Sequence, residues 1–475
     1  MMGGLAAALL PAVCRSGVVW FGASGRVRKM APGASPLVQI EPHGRGSIAT
    51  VDLPEQHYAG FYERYANSVL WPLLHSRVDL SKGSEKDFAS YQAVNAFMAR
   101  TLATFGGMDS CFWVHDYHYL TVARELRRLG VNREIGLFLH TPWASREIMM
   151  RLPECRELVE AMLDCDLIGF QTTEARDNFS DLVRHLLHLS GPEYTFRTRR
   201  GTCRLGVFPI SIDAQEFADS AQKAGEDPEV RRLRASLNGE KLIVGVDRID
   251  YSKGILQRLT AYDRLLTRNP DLKRRVRMLQ VAVPSRGTID TYRELRQAVA
   301  GAVADINGRH AEIDWSPIRY LNKSFCQWTL AGIYRAAAVG LVTPLQDGMN
   351  LVAKEYVAAQ DPANPGVLVL SRFAGAAREL DAALLVDPND IEGLSRAVAT
   401  ALTMPGSERR ARWQHMMDGL LRRSIHVWFA EFMDELKRGR HTFVRHPGAR
   451  FTARPALPAP PAPARSSNAA IGDQH

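Results

Sequence analysis

The chain has 475 residues, of which 46% are apolar and 23% charged, values that are ordinary for a globular protein of two or three domains. Its formal net charge is +9, but no segment combines dense Lys and Arg with interleaved aromatic residues, so nucleic acid is not predicted as a partner. No apolar run approaches the roughly 20 residues of a membrane span, and the six scattered cysteines indicate free thiols in a reducing, cytoplasmic compartment.

Short apolar runs recur along the chain and are separated by helical patterns. Such runs, bounded by polar, Gly or Pro residues, fit strands that are buried on both faces of a parallel sheet. The helical patterns between them indicate repeated βαβ units. In chain order the predicted strands are 111–114, 135–139, 166–170, 205–210, 242–246, 278–283, 339–343, 367–370 and 383–386.

This number of strands is large for one open sheet, and a polar stretch follows the segment PISID at 209–213. We therefore predict two doubly wound, Rossmann-like domains facing a central cleft, with residues 1–213 in the first and residues 214–440 in the second. The second domain is predicted to end in one long amphipathic helix over 412–438, and the Pro- and Ala-rich residues 441–475 to form a disordered tail. Ligands of such domains bind at the carboxyl ends of the strands, so the cleft is the predicted site.

Two polar residues in the first half end consecutive predicted strands. Asp116 follows the strand in WVHDYHYL, and His140 ends the strand in LFLHTPW. Either residue alone is equally compatible with a structural cap or a core histidine, but the pair on consecutive strands favours a shared site. His115 and His118 flank Asp116 without a third ligand nearby, so no metal site is predicted there.

Cations follow two predicted strands of the second half. Arg248 and Lys253 lie in VGVDRIDYSKG, and Arg286 lies in VPSRG. Cations at the carboxyl end of a strand would neutralise the charge that grows on a diphosphate leaving group. The alternative interpretation is that they are solvated surface charges.

The segment DGMNLVAKEY at 347–356 follows an apolar run and continues into a helical pattern. A strand, a loop with Gly348 and a helix that begins near Asn350 would direct unpaired N–H groups and the positive end of the helix dipole at an anion. Glu355 lies about one turn further on, where a carboxylate suits a pair of sugar hydroxyls. The segment therefore predicts a nucleotide-sugar site.

Several familiar motifs are absent from the sequence. It contains no GxGxxG, no GxxxxGK[ST] and no GxSxG, so neither a dinucleotide, a P-loop nor a serine-hydrolase site is indicated. Asp164 and Asp166 form a DxD pattern, but it leads into a strand and is interpreted as chance or capping rather than as a metal site. We predict no metal and no cofactor; cations, helix N–H groups and hydroxyl-binding residues suit catalysis by electrostatics and orientation.

Taken together, six segments of the chain resemble the trehalose-6-phosphate synthase family, retaining glucosyltransferases of the GT-B type. The resemblance extends from Gly3 to about Leu436. It implies transfer of glucose from UDP-glucose to glucose 6-phosphate, giving trehalose 6-phosphate and UDP, by front-face attack. The segments are NSVLWPLLHSR, WVHDYHYL, GFQTTEARDNF, DRIDYSKG, PSRG and DGMNLVAKEYVAAQDPANPGVLVLSRFAGAA.

The resemblance also implies roles for individual residues. In the donor site, Arg248 and Lys253 would hold the diphosphate, Glu355 the ribose, and Phe325 would lie near the uracil. His140 would lie near the donor sugar, with Asp347 facing it. The full implied donor set is Gly3, Gly4, Arg248, Lys253, Phe325, Leu351, Val352, Ala353, Lys354 and Glu355; the acceptor set is Tyr62, Trp71, Asp116 and Arg286; the catalytic set is Asp116, His140, Arg248, Lys253 and Asp347.

The chain departs from the family pattern at its start. The family begins with a strand that carries Ser-Asn-Arg before the Gly-Gly, whereas this chain begins at the Gly-Gly, so the first strand of the N-terminal domain is expected to be missing. We interpret this as a start site assigned too far downstream. Smaller departures are Gln346, Ala338 and Ala144, of which Ala144 would alter the loop near the acceptor.

Two alternatives to the synthase function stay open. A glucosylglycerol-phosphate synthase would share the donor site and use glycerol 3-phosphate, and a non-catalytic, ligand-sensing paralogue would bind the donor without turnover. The sequence also leaves open UDP against GDP or ADP, regulation, and whether the chain forms a homo-oligomer.

Overall fold

The computed structural model describes residues 4–31, 36–107, 110–189, 191–192, 194–198 and 200–438, and for residues 4–8 the backbone alone. Its strands form three sheets, with the orders β1-β3-β2, β4-β5-β6-β8-β7 and β11-β10-β9-β12-β13-β14. The strands are β1 Val19–Arg28, β2 Val38–His43, β3 Gly46–Pro54, β4 Phe112–His115, β5 Ile135–Leu139, β6 Leu167–Phe170, β7 Thr195–Thr198, β8 Gly201–Val207, β9 Lys241–Arg248, β10 Val276–Val283, β11 Ile318–Leu321, β12 Val339–Val342, β13 Val367–Ser371 and β14 Leu384–Val386.

Helices fill the connections between these strands. A π-helix, Ala59–Leu70, joins the second helix to the third without a break. The α-helices are α1 Gly4–Ser16, α2 Glu55–Tyr58, α3 Trp71–Leu74, α4 Glu85–Ala103, α5 Val122–Arg128, α6 Arg146–Met149, α7 Cys155–Met162, α8 Thr173–Leu187, α9 Ala214–Lys223, α10 Pro228–Leu237, α11 Ile255–Arg268, α12 Asp290–His310, α13 Gln327–Ala336, α14 Leu351–Ala359, α15 Ile391–Thr403, α16 Gly406–Arg422 and α17 Ile425–Arg438. Short 3₁₀ turns include Tyr117–Tyr119, Tyr251–Lys253 and Gly375–Arg378.

The two large sheets confirm the predicted α/β architecture. All pairings in the six-stranded sheet are parallel, and the five-stranded sheet is parallel except for the β7–β8 hairpin. Neighbouring residues of β9 face different apolar cores, Ile243 one and Val244 the other. This burial on both faces is the reason that the strands read as continuous apolar runs.

Each predicted strand overlaps an observed strand of the two large sheets, but five observed strands were not predicted. The strands β1 and β2 are largely exposed; β1 begins within the apolar run 18–21, but the rest of both strands mixes polar, Gly and apolar residues, which is not the pattern of a strand buried on both faces. The other three are β3, β7 and β11. The run at 205–210 was also predicted too long, because β8 ends at Val207, before Phe208 and Pro209.

The prediction of one long helix over 412–438 is wrong, because the chain turns at Arg423 and Ser424 between α16 and α17. The Ser424 hydroxyl accepts a hydrogen bond from the Val427 N–H at 3.4 Å, and its carbonyl accepts one from Trp428 at 3.1 Å. These bonds satisfy N–H groups at the start of a new helix.

The new helix α17 packs against the five-stranded sheet of the first half. The Phe432 ring lies against Gly136 of β5 and Gly169 of β6, where an added Cβ would be 2.8 Å from ring carbons. Only glycine leaves room for the ring at these two positions. Residues that follow the second sheet thus complete the core of the first.

Three other predictions concern domain limits and the chain ends. The Asp213 side chain caps α9, accepting a hydrogen bond from the Glu216 N–H at 3.0 Å, and a boundary at 213/214 stays a proposal. Residues 441–475 and Gly3 lie outside the described residues, and the expected absence of a first strand stays a prediction. Across the described ranges, no helix combines the length and the apolarity that a membrane crossing requires.

We predict that Phe432→Ala lowers the free energy of unfolding by about 3–5 kcal/mol, because it removes a fully buried ring and leaves a cavity above two glycines. Chemical denaturation provides the measurement. Phe429→Ala is the control, since Phe429 lies on the same helix but is only partly buried. Equal losses in the two variants would contradict this packing account.

Candidate active site

The predicted site residues gather where the carboxyl ends of the two large sheets face each other. From the five-stranded sheet, Asp116 follows β4 and His140 follows β5; from the six-stranded sheet, Arg248 ends β9 and Asp347 follows β12. The two edges touch at Gly348, where an added Cβ would lie 2.0 Å from the carbonyl oxygen of His140. A glycine is therefore required for the two halves to approach this closely.

A partly buried ion pair lies on the side of this cleft that is formed by the six-stranded sheet. The Lys253 Nζ is 2.5 Å from the Asp347 Oδ2, and the Asn350 Nδ2 donates to the same oxygen at 3.0 Å. Burial alone would raise the pKa of Asp347, but the Lys253 ammonium outweighs it and holds that pKa below its ordinary value. An ionised carboxylate and an ammonium therefore stand side by side at the end of β12.

The strand, loop and helix predicted for 339–359 are confirmed as β12 and α14. Asn350 caps α14 in the left-handed region, with φ +75°, which asparagine tolerates better than most residues. Its Oδ1 accepts a hydrogen bond from the Ala353 N–H at 3.3 Å. The first turn of α14, which contains Leu351, Val352 and Ala353, thus points its positive end toward the cleft.

The two charged residues of α14 differ in their surroundings. The Lys354 side chain is fully buried, and its Nζ donates to the Ile210 carbonyl at 2.7 Å and to the Glu379 carboxylate at 2.6 Å. These two hydrogen bonds occupy the Lys354 ammonium inside the protein. Only the main chain of Lys354 is therefore available to a ligand in the cleft. Burial raises the pKa of Glu355 to about 7, so this carboxyl is poised to change charge near neutral pH.

A cluster around Arg286 connects the two halves of the cleft. Its guanidinium donates to the Tyr117 hydroxyl at 2.9 Å and to Asp250 at 3.3 Å, and also to the Tyr292 hydroxyl. It lies 4.1 Å from the centre of the Trp71 ring, a cation–π contact. Trp71 and Tyr117 come from the first half, and the other three residues come from the second.

Tyr62 lies beside this cluster on the π-helix. Its ring stacks on His118 with centroids 5.7 Å apart and planes inclined by 13°. The widened helix also places Asn67 so that its Oδ1 accepts from the Tyr117 hydroxyl at 2.7 Å. Local π-helical turns are frequent at functional sites, because they shift side chains out of the regular α-helical register.

The remaining predicted donor residues are less enclosed. Arg248 is exposed, with its guanidinium 5.7 Å from the centre of the Trp71 ring. Phe325 lies between β11 and α13, with the Lys323 ammonium 4.5 Å above its ring. Gly4 begins α1, and Gly3 lies outside the described residues.

His140 and Asp116 are joined through the main chain. The Asp116 Oδ1 accepts a hydrogen bond from the His140 backbone N–H at 3.2 Å, while Asp116 itself has φ +71°. Burial is the main reason that the pKa of Asp116 rises to about 6, although the neighbouring N–H groups oppose it. The His140 ring contacts His115 and Gln171, at 3.1 Å and 3.3 Å respectively.

Four contact residues were missed by the sequence reasoning: Asp250, Tyr117, Tyr292 and Gln171. Gln171 follows β6 as His140 follows β5, so its position at a strand end was a usable signal. Asp250 and Tyr117 each lie one or two residues from a predicted site residue. Tyr292 lies on α12, and nothing in its local sequence indicates that it reaches Arg286.

The DxD pattern has a structural role. Asp164 pairs with Arg124 at 3.2 Å, and Asp166 pairs with Arg127 at 2.8 Å while accepting from the Ile135 N–H at 2.7 Å. The Asp166 carboxylate thus joins α5 to the start of β5. Within the described ranges, His, Cys, Asp and Glu side chains form no cluster of three or more that could hold a metal ion.

Comparison with known proteins adds independent evidence. The sequence model for glycosyltransferase family 20 matches residues 1–438. A trehalose-6-phosphate synthase of Sinorhizobium fredii is 43% identical over 438 residues, which cover 91% of this chain and 94% of that protein.

Two solved structures are also similar to this chain. One is an α,α-trehalose-phosphate synthase (UDP-forming) from Burkholderia xenovorans in complex with glucose 6-phosphate, 42% identical with a TM-score of 0.89, covering 92% of this chain and 97% of that one. The other, from Escherichia coli, is bound with UDP-2-fluoro glucose; it is 40% identical with a TM-score of 0.87 and covers 92% and 96% of the two chains. The family model and the aligned relatives each cover more than nine-tenths of the chain, and the relatives are 40–43% identical to it. The chain therefore belongs to glycosyltransferase family 20.

Proposed function

We propose that the chain transfers glucose from UDP-glucose to glucose 6-phosphate with retention of configuration, forming trehalose 6-phosphate and UDP. The observation that carries this proposal is a single cleft whose two ends are lined by different groups. The Lys253–Asp347 pair and the start of α14 lie on one side, and the cation–aromatic cluster of Arg286 and Trp71 closes the other. Two solved relatives that are 42% and 40% identical to this chain contain glucose 6-phosphate and UDP-2-fluoro glucose, respectively.

The donor half suits a nucleotide diphosphate. As the bond between glucose and phosphate breaks, negative charge grows on the leaving diphosphate, and fixed cations stabilise it. The Lys253 ammonium and the exposed Arg248 guanidinium are the cations available at the end of β9. The Glu355 carboxyl lies one turn into α14 and can accept hydrogen bonds from two ribose hydroxyls.

The acceptor half suits a sugar phosphate. The Arg286 guanidinium is a planar fork that matches a phosphate, and in this structure it bonds to neutral tyrosine hydroxyls and to Asp250. The Trp71 side chain lies beside this guanidinium and Tyr62 beside the cluster, and the Asp116 carboxylate can accept from the hydroxyls of a sugar. Glycerol 3-phosphate carries the same anion but lacks a sugar ring with its set of hydroxyls.

Reaction would then depend on orientation rather than on a covalent intermediate. Holding the acceptor hydroxyl against the same face from which the diphosphate leaves lets a leaving phosphate oxygen take the acceptor proton. Asp347 would face the donor glucose, where its negative charge stabilises the positive character of the glucosyl group.

We also propose that the enzyme acts in the cytoplasm and that residues 1–213 and 214–440 are its two domains, while self-association stays a prediction.

We predict that Lys253→Ala lowers kcat/KM for UDP-glucose by about 10²–10³-fold, the usual cost of removing one group that stabilises transition-state charge. Arg248→Ala should lower it in the same direction. Steady-state kinetics at saturating glucose 6-phosphate provide the measurement.

The matched control for Lys253 is Lys241→Ala. Lys241 begins β9, at the opposite end of the strand from Arg248, and its Nζ donates to the Leu402 carbonyl. We expect near-normal activity in this variant. Normal activity in both Lys253→Ala and Arg248→Ala would refute the assignment of the diphosphate site.

We predict that UDP-glucose binding releases a proton from Glu355. Two ribose hydroxyls that donate to the carboxylate favour its charged form and lower its pKa from about 7. Affinity should therefore rise with pH up to about 7 and level off above it. Calorimetry in two buffers of different ionisation enthalpy measures the proton, and the diphosphate diester of UDP-glucose does not itself titrate in this range.

Glu355→Gln is the control for that measurement, since it keeps the shape of the side chain and removes the titration. It should bind UDP-glucose with no proton release and a flat pH dependence. An unchanged pH dependence in this variant would show that another group titrates.

The proposed function itself is tested by product analysis with a panel of substrates. UDP-, GDP- and ADP-glucose are each combined with glucose 6-phosphate or glycerol 3-phosphate, and products are identified by mass spectrometry. We expect trehalose 6-phosphate from UDP-glucose and glucose 6-phosphate. Product only with glycerol 3-phosphate, or donor binding without turnover, would overturn the proposal.

A further inference from the structure

A chain of hydrogen bonds crosses the carboxyl edge of the five-stranded sheet and passes through His140. It uses one residue from each of four neighbouring strands: His115 ends β4, and His140, Gln171 and Ile210 follow β5, β6 and β8. The backbone N of Ile210 is 2.9 Å from the Gln171 Oε1, and the Gln171 Nε2 is 3.3 Å from the His140 Nδ1. The His140 Nε2 is in turn 3.1 Å from the His115 Nδ1.

The direction of this chain is set at its Ile210 end. A backbone N–H can only donate, so the Gln171 oxygen accepts and the Gln171 amide nitrogen faces His140 and donates. The His140 Nδ1 is therefore an acceptor without a proton. A neutral imidazole carries one N–H, so His140 is protonated on Nε2 and donates to the Nδ1 of His115.

We propose that Gln171 and His115 are positioning residues that keep His140 neutral and protonated on Nε2, with that N–H bound to His115, so that the ring presents the donor glucose with neither a base nor a cation. The proposal deepens the proposed function and rests on it for the identity of the donor sugar. The hydrogen-bond chain and the tautomer themselves are properties of the free protein.

Glucosyl transfer explains why a neutral His140 would be favoured. The transferred glucosyl group gains positive character in the transition state, as in glycoside hydrolysis. A cationic imidazole beside it would oppose that charge, whereas a neutral ring adds no such repulsion. A bare Nε2 would instead accept a proton and compete with the leaving phosphate for the acceptor hydroxyl.

The surroundings of His140 agree with a neutral ring. Gln171 is 2% exposed, and the Phe138 and Trp428 rings lie 4.7 Å and 6.2 Å from the His140 ring. Burial and the neighbouring His115 keep the pKa of His140 well below its ordinary value. Asp116 contacts the His140 backbone N–H rather than its ring.

On the side of the cleft formed by the six-stranded sheet, the charged groups Lys253 and Asp347 are paired with each other. Asp347 precedes Gly348, which contacts the His140 carbonyl, and its carboxylate is bound by Lys253. The titratable neighbours of His140 are thus the neutral His115, Asp116 turned toward the main chain, and this ion pair. None of them offers His140 a free carboxylate in the unliganded protein.

The direct test is the two-bond ¹H–¹⁵N NMR spectrum of the full chain with ¹⁵N-labelled histidine, with the His140 signals assigned by their loss in His140→Gln. We expect the Nε2-protonated tautomer and no titration between roughly pH 5.5 and 8, the range around the ordinary histidine pKa of about 6.5. An Nδ1-protonated ring, or a titration in that range, would overturn the proposal whatever the activity.

A variant then connects the tautomer to turnover. Gln171→Glu can still accept from Ile210, but its carboxylate attracts a proton to the His140 Nδ1 and stabilises the imidazolium. We expect His140 to titrate in this variant, and kcat/KM for UDP-glucose to fall between pH 8 and pH 6 by about 10-fold more than in the wild type, whose profile already contains the titration of Glu355. The wild-type profile should lack this additional fall.

Gln360→Glu is the matched control. Gln360 is also buried, and its Oε1 accepts from the Gly366 N–H at 2.8 Å, but its amide bonds to backbone carbonyls and not to a histidine. A pH profile shared by the two variants would overturn the proposal. If His140 shows the expected tautomer but the protein makes no trehalose 6-phosphate, the hydrogen-bond chain is supported and the proposed function is refuted.

Discussion

The geometry of parallel sheets is the constraint on which the rest of this molecule depends. Parallel strands end on the same edge, so each large sheet brings the residues after its strands into one row. Because the two rows face each other, side chains far apart in sequence meet at hydrogen-bond distance. Contact between Gly348 and the His140 carbonyl marks where the rows touch, and it permits no side chain at position 348.

Most of the charge in this cleft is balanced locally before any ligand binds. Lys253 is paired with Asp347, and Arg286 bonds to Asp250 and two tyrosines. Buried charges are costly unless they are paired, so these partners keep the unliganded site stable. A phosphate that binds there replaces one set of partners with another, which limits the desolvation cost of binding.

Nine strands of the two large sheets could be predicted from the sequence because burial on both faces leaves a continuous apolar run, whereas β7 and β11 at the sheet edges were missed. Runs such as IGLFL at 135–139 coincide with a strand to the residue. The small sheet of β1 to β3 could not be predicted in this way, since its outer strands are exposed and mix polar with apolar residues. The break between α16 and α17 was missed because the apolar periodicity continues across Ser424, where a side-chain cap begins a new helix.

The site was predictable where a residue ends a strand and much less so where it acts through a partner. Asp116, His140, Arg248 and Asp347 all stand at strand ends, which sequence patterns locate. That Lys354 points inward to Glu379 depends on α14 facing the Ile210 carbonyl, a tertiary contact with no local signature. Tyr292 reaches Arg286 from the first turns of α12, and only the folded chain shows it.

We infer that this cleft transfers glucose with retention, using fixed cations and orientation in place of a metal. The decisive measurement follows the reaction of UDP-[1-¹³C]glucose and glucose 6-phosphate by ¹³C NMR in the presence of EDTA. We expect a product in which the labelled carbon is α-linked, formed at the same rate with and without the chelator. A β-linked product, or a reaction that stops in EDTA and resumes with a divalent cation, would contradict it.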